Sequence, residues 1–371
     1  MASNLKSYLD NLVPWSITGS QKTQPSAKKI NLALQGGGAH GAFTWGVLDH
    51  LLADGRLEIT GLSGASAGAV NAVMLADGLA RGGPEEARKR LADFWRAASV
   101  GGDLPPVQRA ITDRLFSIFP FATSPMQNWF ETMSHYFSPY DFNPLNINPL
   151  KDVIERFVDF EAVRAHHGLD LFISATNVHT GELRVFERAE ISPEVVMASA
   201  SLPLLFRAVD IDGVPYWDGG YSGNPAVIPF LRTTASEDVL IIQINPRERR
   251  KVPTNTREIM SRVNEINFNA SLLSELRGVA FVNRLIDEGR LPRGTREGEF
   301  RRLKLHRIVM EDVGDTFGAR STLKTDYEYF ETLRKLGQRA TRRFLDRHFN
   351  DIGRRSTIDI ADKIEAELAE T

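Results

Sequence analysis

Three short clusters in this chain of 371 residues combine glycine with a side chain able to do chemistry. The first, Gly64-Ala65-Ser66-Ala67-Gly68, is a G-x-S-x-G pentapeptide. It stands between an apolar run, Leu57 to Leu62, and an alanine-rich helical pattern through Val70, Val73, Met74 and Leu75. In a strand-to-helix elbow of this kind the serine sits in a tight turn, and small neighbours let the two backbones pass closely. The helix start supplies free amides and a dipole that favour developing negative charge. The chemistry would be acyl transfer through a serine nucleophile, Ser66. A glycine-rich loop with an incidental serine gives the same pentapeptide, so the strand-to-helix setting carries the weight.

The second cluster, Gly36-Gly37-Gly38-Ala39-His40-Gly41, reads in two ways. Gly36, Gly38 and Gly41 satisfy the dinucleotide fingerprint G-x-G-x-x-G, and both readings use backbone amides to hold an anion. A dinucleotide site needs an acidic residue at the end of the next strand, about 20 residues on. Glu58 begins that strand and the serine elbow ends it, which favours an oxyanion hole built from Gly36, Gly37 and Gly38. The third cluster is Asp218-Gly219-Gly220. By itself this is a turn aspartate beside two glycines. As a partner of Ser66 it would be a carboxylate base.

The elements that must carry these clusters are short and apolar. Ile30 to Leu34, Leu57 to Leu62, Leu171 to Ala175, Val239 to Ile244 and Leu305 to Met310 read as strands buried in a parallel sheet. Asp212-Gly213, between V-D-I and V-P-Y-W, signals a hairpin just before the aspartate. Long helices are expected at Ile259 to Glu288, Thr325 to Asn350 and Ile358 to Glu370. The pattern predicts a three-layer α/β/α sandwich with a mainly parallel central sheet and a helical C-terminal part. The expected division is a flexible lead-in at 1–29, a catalytic core at 30–244 with an aromatic-rich insertion at about 100–150, and a mainly helical part at 245–371 packed on that core.

Composition narrows the partners. Apolar residues at 42% and charged residues at 25% describe a globular chain, and 45 basic against 47 acidic residues leave a formal charge of -2, with no field to draw nucleic acid. The absence of cysteine removes disulfides, thiolate metal sites and a thiol nucleophile. Neither a signal peptide nor a spanning segment is visible, so a cytoplasmic protein is expected.

Taken together, G-G-G-A-H-G after the first strand, G-A-S-A-G one βα unit later and D-G-G at Asp218 resemble the three motifs of the patatin-like phospholipases of bacterial type. The resemblance covers roughly Ile30 to Ile244 and includes Ala198-Ser199-Ala200-Ser201-Leu202-Pro203-Leu204-Leu205-Phe206 before the aspartate. It implies a Ser-Asp dyad in which Ser66 is the nucleophile and Asp218 the proton acceptor. Gly41, Gly64, Gly68, Gly219 and Gly220 complete the motifs, and no metal or organic cofactor is involved. One departure is His40, where the family usually carries arginine or lysine, and a neutral imidazole brings no permanent charge. A Ser-Asp-His triad is the competing mechanism, with His306 and His348 as its late histidines. Intact Ser66 and Asp218 weigh against a non-catalytic lipid- or nucleotide-binding module. The implied substrate is a phospholipid, lysophospholipid or other acyl ester, with a general carboxylester or polyester hydrolase as the alternative. Peripheral membrane contact is a further expectation. Nine aromatics between Phe116 and Phe142 could line an acyl pocket, form a lid or build a small core of their own. The basic run Arg290 to Arg307 and the cluster Arg339, Arg342, Arg343 and Arg347 could draw anionic headgroups or simply be solvated.

Overall fold

The computed structural model describes residues 27–99, 138–142, 146, 148–203, 205–233, 235–249, 252–310 and 326–358. The aromatic stretch from Phe116 to Phe137, all but the first residue of the helix expected at Ile358 to Glu370 and most of the N-terminal lead-in lie outside them.

The strands are β1 (Lys28–Leu34), β2 (Leu57–Gly64), β3 (Asp170–Asn177), β4 (Leu183–Glu187), β5 (Val209–Ile211), β6 (Val214–Asp218), β7 (Asp238–Gln243) and β8 (Lys304–Val309). They form one eight-stranded sheet. β1 lies between β2 and β7, with β3 beyond β2 and β8 beyond β7, all parallel. β4 and the β5–β6 hairpin add antiparallel strands at one side. The hairpin turns at Asp212-Gly213, both at positive φ as the sequence signal requires. β4 had no counterpart in the sequence reading, because L-R-V-F-E is short and shows only one buried residue.

The principal helices are α1 (Gly41–Asp54), α2 (Ala67–Ala97), α3 (Pro149–Phe157), α4 (Phe160–Ala165), α5 (Pro193–Ser199), α6 (Thr256–Asp287) and α7 (Tyr327–His348). Alternation along the central strands sorts their side chains into two cores. Leu32 and Leu34 of β1, with Leu240 and Ile242 of β7, meet α1, α2, α5 and α7 on one face. Ala33, Val239 and Ile241 meet Leu272, Leu276 and Val279 of α6 on the other. This is the expected three-layer α/β/α sandwich with a mainly parallel sheet. Each fully buried leucine or isoleucine contributes about 2 kcal/mol of burial free energy, and both cores hold many of them.

β3 determines where the site forms. Its first half pairs with β2, Gly64 opposite Ile173, and its second half pairs with β6, Asp218 opposite Ala175. β4 runs along the other edge, opposite Phe172 to Thr176. β6 therefore takes up the edge of β3 at the point where β2 leaves it, and the residues after Gly64 emerge beside Asp218.

Candidate active site

Ser66 follows β2 and caps α2 with φ 55° and ψ -126°, a conformation that costs a non-glycine residue on the order of 1 to 3 kcal/mol. Neighbouring backbones hold it there. A Cβ on Gly68 would lie 2.1 Å from the Leu34 carbonyl oxygen, and one on Gly64 would lie 2.6 Å from the Gly68 backbone. Only glycine permits that approach, so the elbow can form because both ends of the pentapeptide lack side chains. The Ser66 N–H donates to the Ser199 hydroxyl at 3.0 Å.

The glycine loop lies directly against the serine: a Cβ on Gly36 would stand 2.6 Å from both Ser66 Cβ and the Ala65 carbonyl oxygen. The Gly36 peptide is gripped on both sides. Its N–H donates to Asn224 Oδ1 at 2.6 Å, and its carbonyl accepts from Asn245 Nδ2 at 2.6 Å and from Asn224 Nδ2 at 3.4 Å. Gln35 braces the same loop, its Oε1 accepting from the Ile244 and Asn245 amides at 2.9 Å each. This corrects the expectation that Gly36 donates to an oxyanion, since its amide is already spent on Asn224. The amides of Gly37 and Gly38 find no acceptor among the described residues, and Gly38 takes a positive φ of 58°.

Asp218 ends β6 fully buried. Its Oδ1 accepts the Gly220 N–H at 2.7 Å, while Oδ2 is buried with no partner of full hydrogen-bond geometry. The Ser66 hydroxyl interacts with the carboxyl more loosely. Burial raises the Asp218 pKa from 3.8 to about 7, against the Gly220 and Ser66 hydrogen bonds, which pull it down. The backbone is fixed by its N–H donating to the Ser201 carbonyl at 2.9 Å and by the Thr176 hydroxyl donating to its carbonyl at 2.8 Å. Nearby Tyr221 is raised to about 12, by burial first and the Asp218 charge second.

A family model for patatin-like phospholipase matches residues 32–231, which takes in all three glycine clusters. The chain belongs to the patatin-like phospholipase family. Among solved structures, VipD from Legionella pneumophila resembles this patatin-like chain at 17% identity and a TM-score of 0.37, over 87% of this chain and 67% of that one. The heterodimeric ExoU–SpcU complex from the type III secretion system of Pseudomonas aeruginosa does so at 16% identity and a TM-score of 0.33, over 87% of this chain and 52% of that one. The chain thus spans about half the length of that matched relative. No curated protein matches.

Against this patatin-like frame, the departure at His40 takes on a physical value. The imidazole is buried, and burial first and the Arg249 charge second lower its pKa to about 4, so it is neutral at pH 7. The two late histidines lie elsewhere. His306 is buried on β8 with Nε2 2.9 Å from Asp238 Oδ1 and Nδ1 3.1 Å from the Thr357 hydroxyl. Asp238 opens β7, at the end of the parallel strands away from Ser66. His348 ends α7 and pairs with Asp351 at 2.9 Å. Among the described residues no helix is long and apolar enough to cross a membrane, and no cluster of histidines and carboxylates could hold a metal ion.

Sequence reading missed the bracing residues Ser199, Asn224 and Asn245. Ser199 lies in a segment already singled out before the aspartate, and Ser201 of the same segment holds the Asp218 N–H. One short stretch at the end of α5 thus touches the backbones of both Ser66 and Asp218.

Proposed function

We propose that this patatin-like protein cleaves fatty-acyl esters of phospholipids or lysophospholipids through a Ser66–Asp218 dyad and an acyl-enzyme. The observation that carries this reading is a strained serine facing a buried carboxyl whose pKa lies near 7. A base is most effective when its pKa is close to the working pH. Asp218 accepts the Ser66 hydroxyl proton as Oγ attacks the ester carbonyl carbon. The oxyanion of the tetrahedral intermediate faces the Gly37 and Gly38 amides, and a donor in such a hole supplies about 3 to 4 kcal/mol.

As the intermediate collapses, the bond to the alcohol oxygen breaks, and Asp218 returns the proton to that leaving oxygen. Water then gives a proton to Asp218 and attacks the acyl carbon. The second intermediate expels Ser66 Oγ, which takes the proton back, and the fatty acid departs. The neutral His40 contributes no charge to this cycle. The test incubates wild type, Ser66→Ala and Asp218→Asn with mixed phospholipids and with a short-chain ester, and identifies the products by mass spectrometry. Free fatty acid from wild type alone is expected. Equal turnover by Ser66→Ala would end the dyad reading.

A further inference from the structure

Helix α6 is apolar on two opposite faces. One face, with Phe268, Leu272, Leu276 and Val279, is buried in the core. Yet Ile259, Val263, Ile266 and Phe281 are 44%, 43%, 50% and 53% exposed. At about 100° per residue these four fall within an arc of roughly 60° opposite the buried face, and from Ile259 to Phe281 the stripe runs about 33 Å. A solvated helix face would carry charges of both signs there.

Helix α6 carries four arginines and four carboxylates, and what differs is where they stand. Between Ile259 and Ile286 the acidic residues are Glu265 and Glu275, and both are buried. Glu265 is paired with Arg249 at 2.9 Å, and Glu275 accepts the Val227 and Ile228 amides at 2.7 and 2.8 Å. The exposed side chains Arg277 and Arg284 lie in the same arc as the apolar stripe. Arg284 stacks over the Phe281 ring at 5.5 Å and meets Glu288 only at 3.9 Å, beyond the helix end. In the basic run after residue 290, Arg293 and Lys304 pair with Glu237 at 2.8 and 2.7 Å, and Arg302 with Asp287 at 2.6 Å.

The inner face of α6 touches the active-site loop. A Cβ on Gly220 would lie 2.8 Å from the Phe268 ring, and the Ser271 hydroxyl donates to the Gly220 carbonyl at 3.2 Å. The apolar stripe is therefore about one helix diameter, 10 to 12 Å, from the loop that carries Asp218.

We infer that the outer face of α6 is the surface on which the protein seats against an anionic lipid bilayer, Ile259, Val263, Ile266 and Phe281 entering the interface and Arg277 and Arg284 meeting headgroups. An apolar stripe whose arc carries two arginines against one exposed carboxylate, Glu288 at its end, suits that partner. The inference rests on the reading of the protein as a lipid ester hydrolase, and its test is kept separate from hydrolysis.

Full-length Ser66→Ala protein, which leaves vesicles intact, is sedimented with phosphatidylcholine vesicles and with phosphatidylcholine–phosphatidylglycerol vesicles. The same is done after adding Ile259→Ser, Val263→Ser and Ile266→Ser together, or Arg277→Glu with Arg284→Glu. Stronger binding to the anionic vesicles is expected, weakened about tenfold or more by either set. Circular dichroism checks the fold, and with Ser66 restored both sets should keep the wild-type rate on a soluble short-chain ester. Equal binding of wild type to both vesicle types, or undiminished binding of the triple serine variant, overturns the inference. So does a concentration-dependent dimer that the triple variant abolishes while vesicle binding is unchanged. Vesicle binding that persists while wild type releases no fatty acid would sink the lipid hydrolase reading instead and leave the docking surface standing.

Discussion

Asp218→Asn should stabilise the protein while abolishing its activity, and the size of that gain can be worked from the site. A rise in pKa from 3.8 to about 7 means that the folded state binds the Asp218 proton on the order of a thousandfold more tightly than the unfolded chain. Full burial leaves little solvent to screen the effect, so it corresponds to about 4 kcal/mol. The sign follows from which state is protonated. Below about pH 4 both states carry the proton and Asp218 adds nothing. Between about pH 4 and 7 the unfolded chain ionises first, so stability falls as pH rises; above about pH 7 the full cost is present. Asparagine keeps the shape and needs no ionisation: its carbonyl can accept from Gly220 and its amide can face Ser66. Urea denaturation of both proteins at pH 4 and pH 8 should therefore show matching midpoints at the lower pH. At the higher, Asp218→Asn should be more stable by up to about 4 kcal/mol. The pH profile of kcat/KM for wild type should rise through about pH 7 as the base ionises. Equal midpoints at pH 8, or an activity rise complete by pH 5, would refute the reasoning.

Three further outcomes follow from the braces. Ser199→Ala leaves the Ser66 N–H without its acceptor and should lower kcat more than it raises KM, at a stability cost of about 1 to 3 kcal/mol; Ser199→Thr should restore most of the rate. Asn245→Asp replaces a donor to the Gly36 carbonyl with a carboxylate, so the acylation burst measured by stopped flow should slow at least about tenfold. His306→Ala takes one partner from Asp238, which keeps the Gly353 N–H, and should lower the thermal midpoint, the loss being about 1 to 3 kcal/mol, while hydrolysis at a permissive temperature continues; loss of turnover in a folded His306→Ala protein would revive the triad.

Much of the site was legible because its requirements are local. A nucleophile elbow needs small residues at fixed offsets, and Gly64 and Gly68 meet that need within five positions. The apolar strand runs and the Asp212-Gly213 turn are equally short-range, and the sheet followed from them. The braces could not be read that way. Ser199 acts on Ser66, Asn224 and Asn245 on Gly36, each across more than a hundred residues, and nothing in the local spacing of an asparagine announces which distant amide it holds. For the same reason Gly36 was assigned an oxyanion role that its bond to Asn224 forbids. The outer face of α6 escaped because its buried face has the same periodicity, so the sequence shows apolar residues on opposite sides of the helix and no single stripe.

The shared edge of β3 makes the serine and the aspartate neighbours by ruler, not by chain length. Their separation is set by two steps along one strand, from Ile173 to Ala175. The chain between α2 and β3 can therefore lengthen or shorten at only logarithmic entropic cost without disturbing the pair. A slip of one residue in β3 would turn its side chains to the wrong faces and part the two groups. Insertions should be tolerated wherever they spare that strand, so variety in lipid substrate can accumulate around a site whose chemistry stays in register.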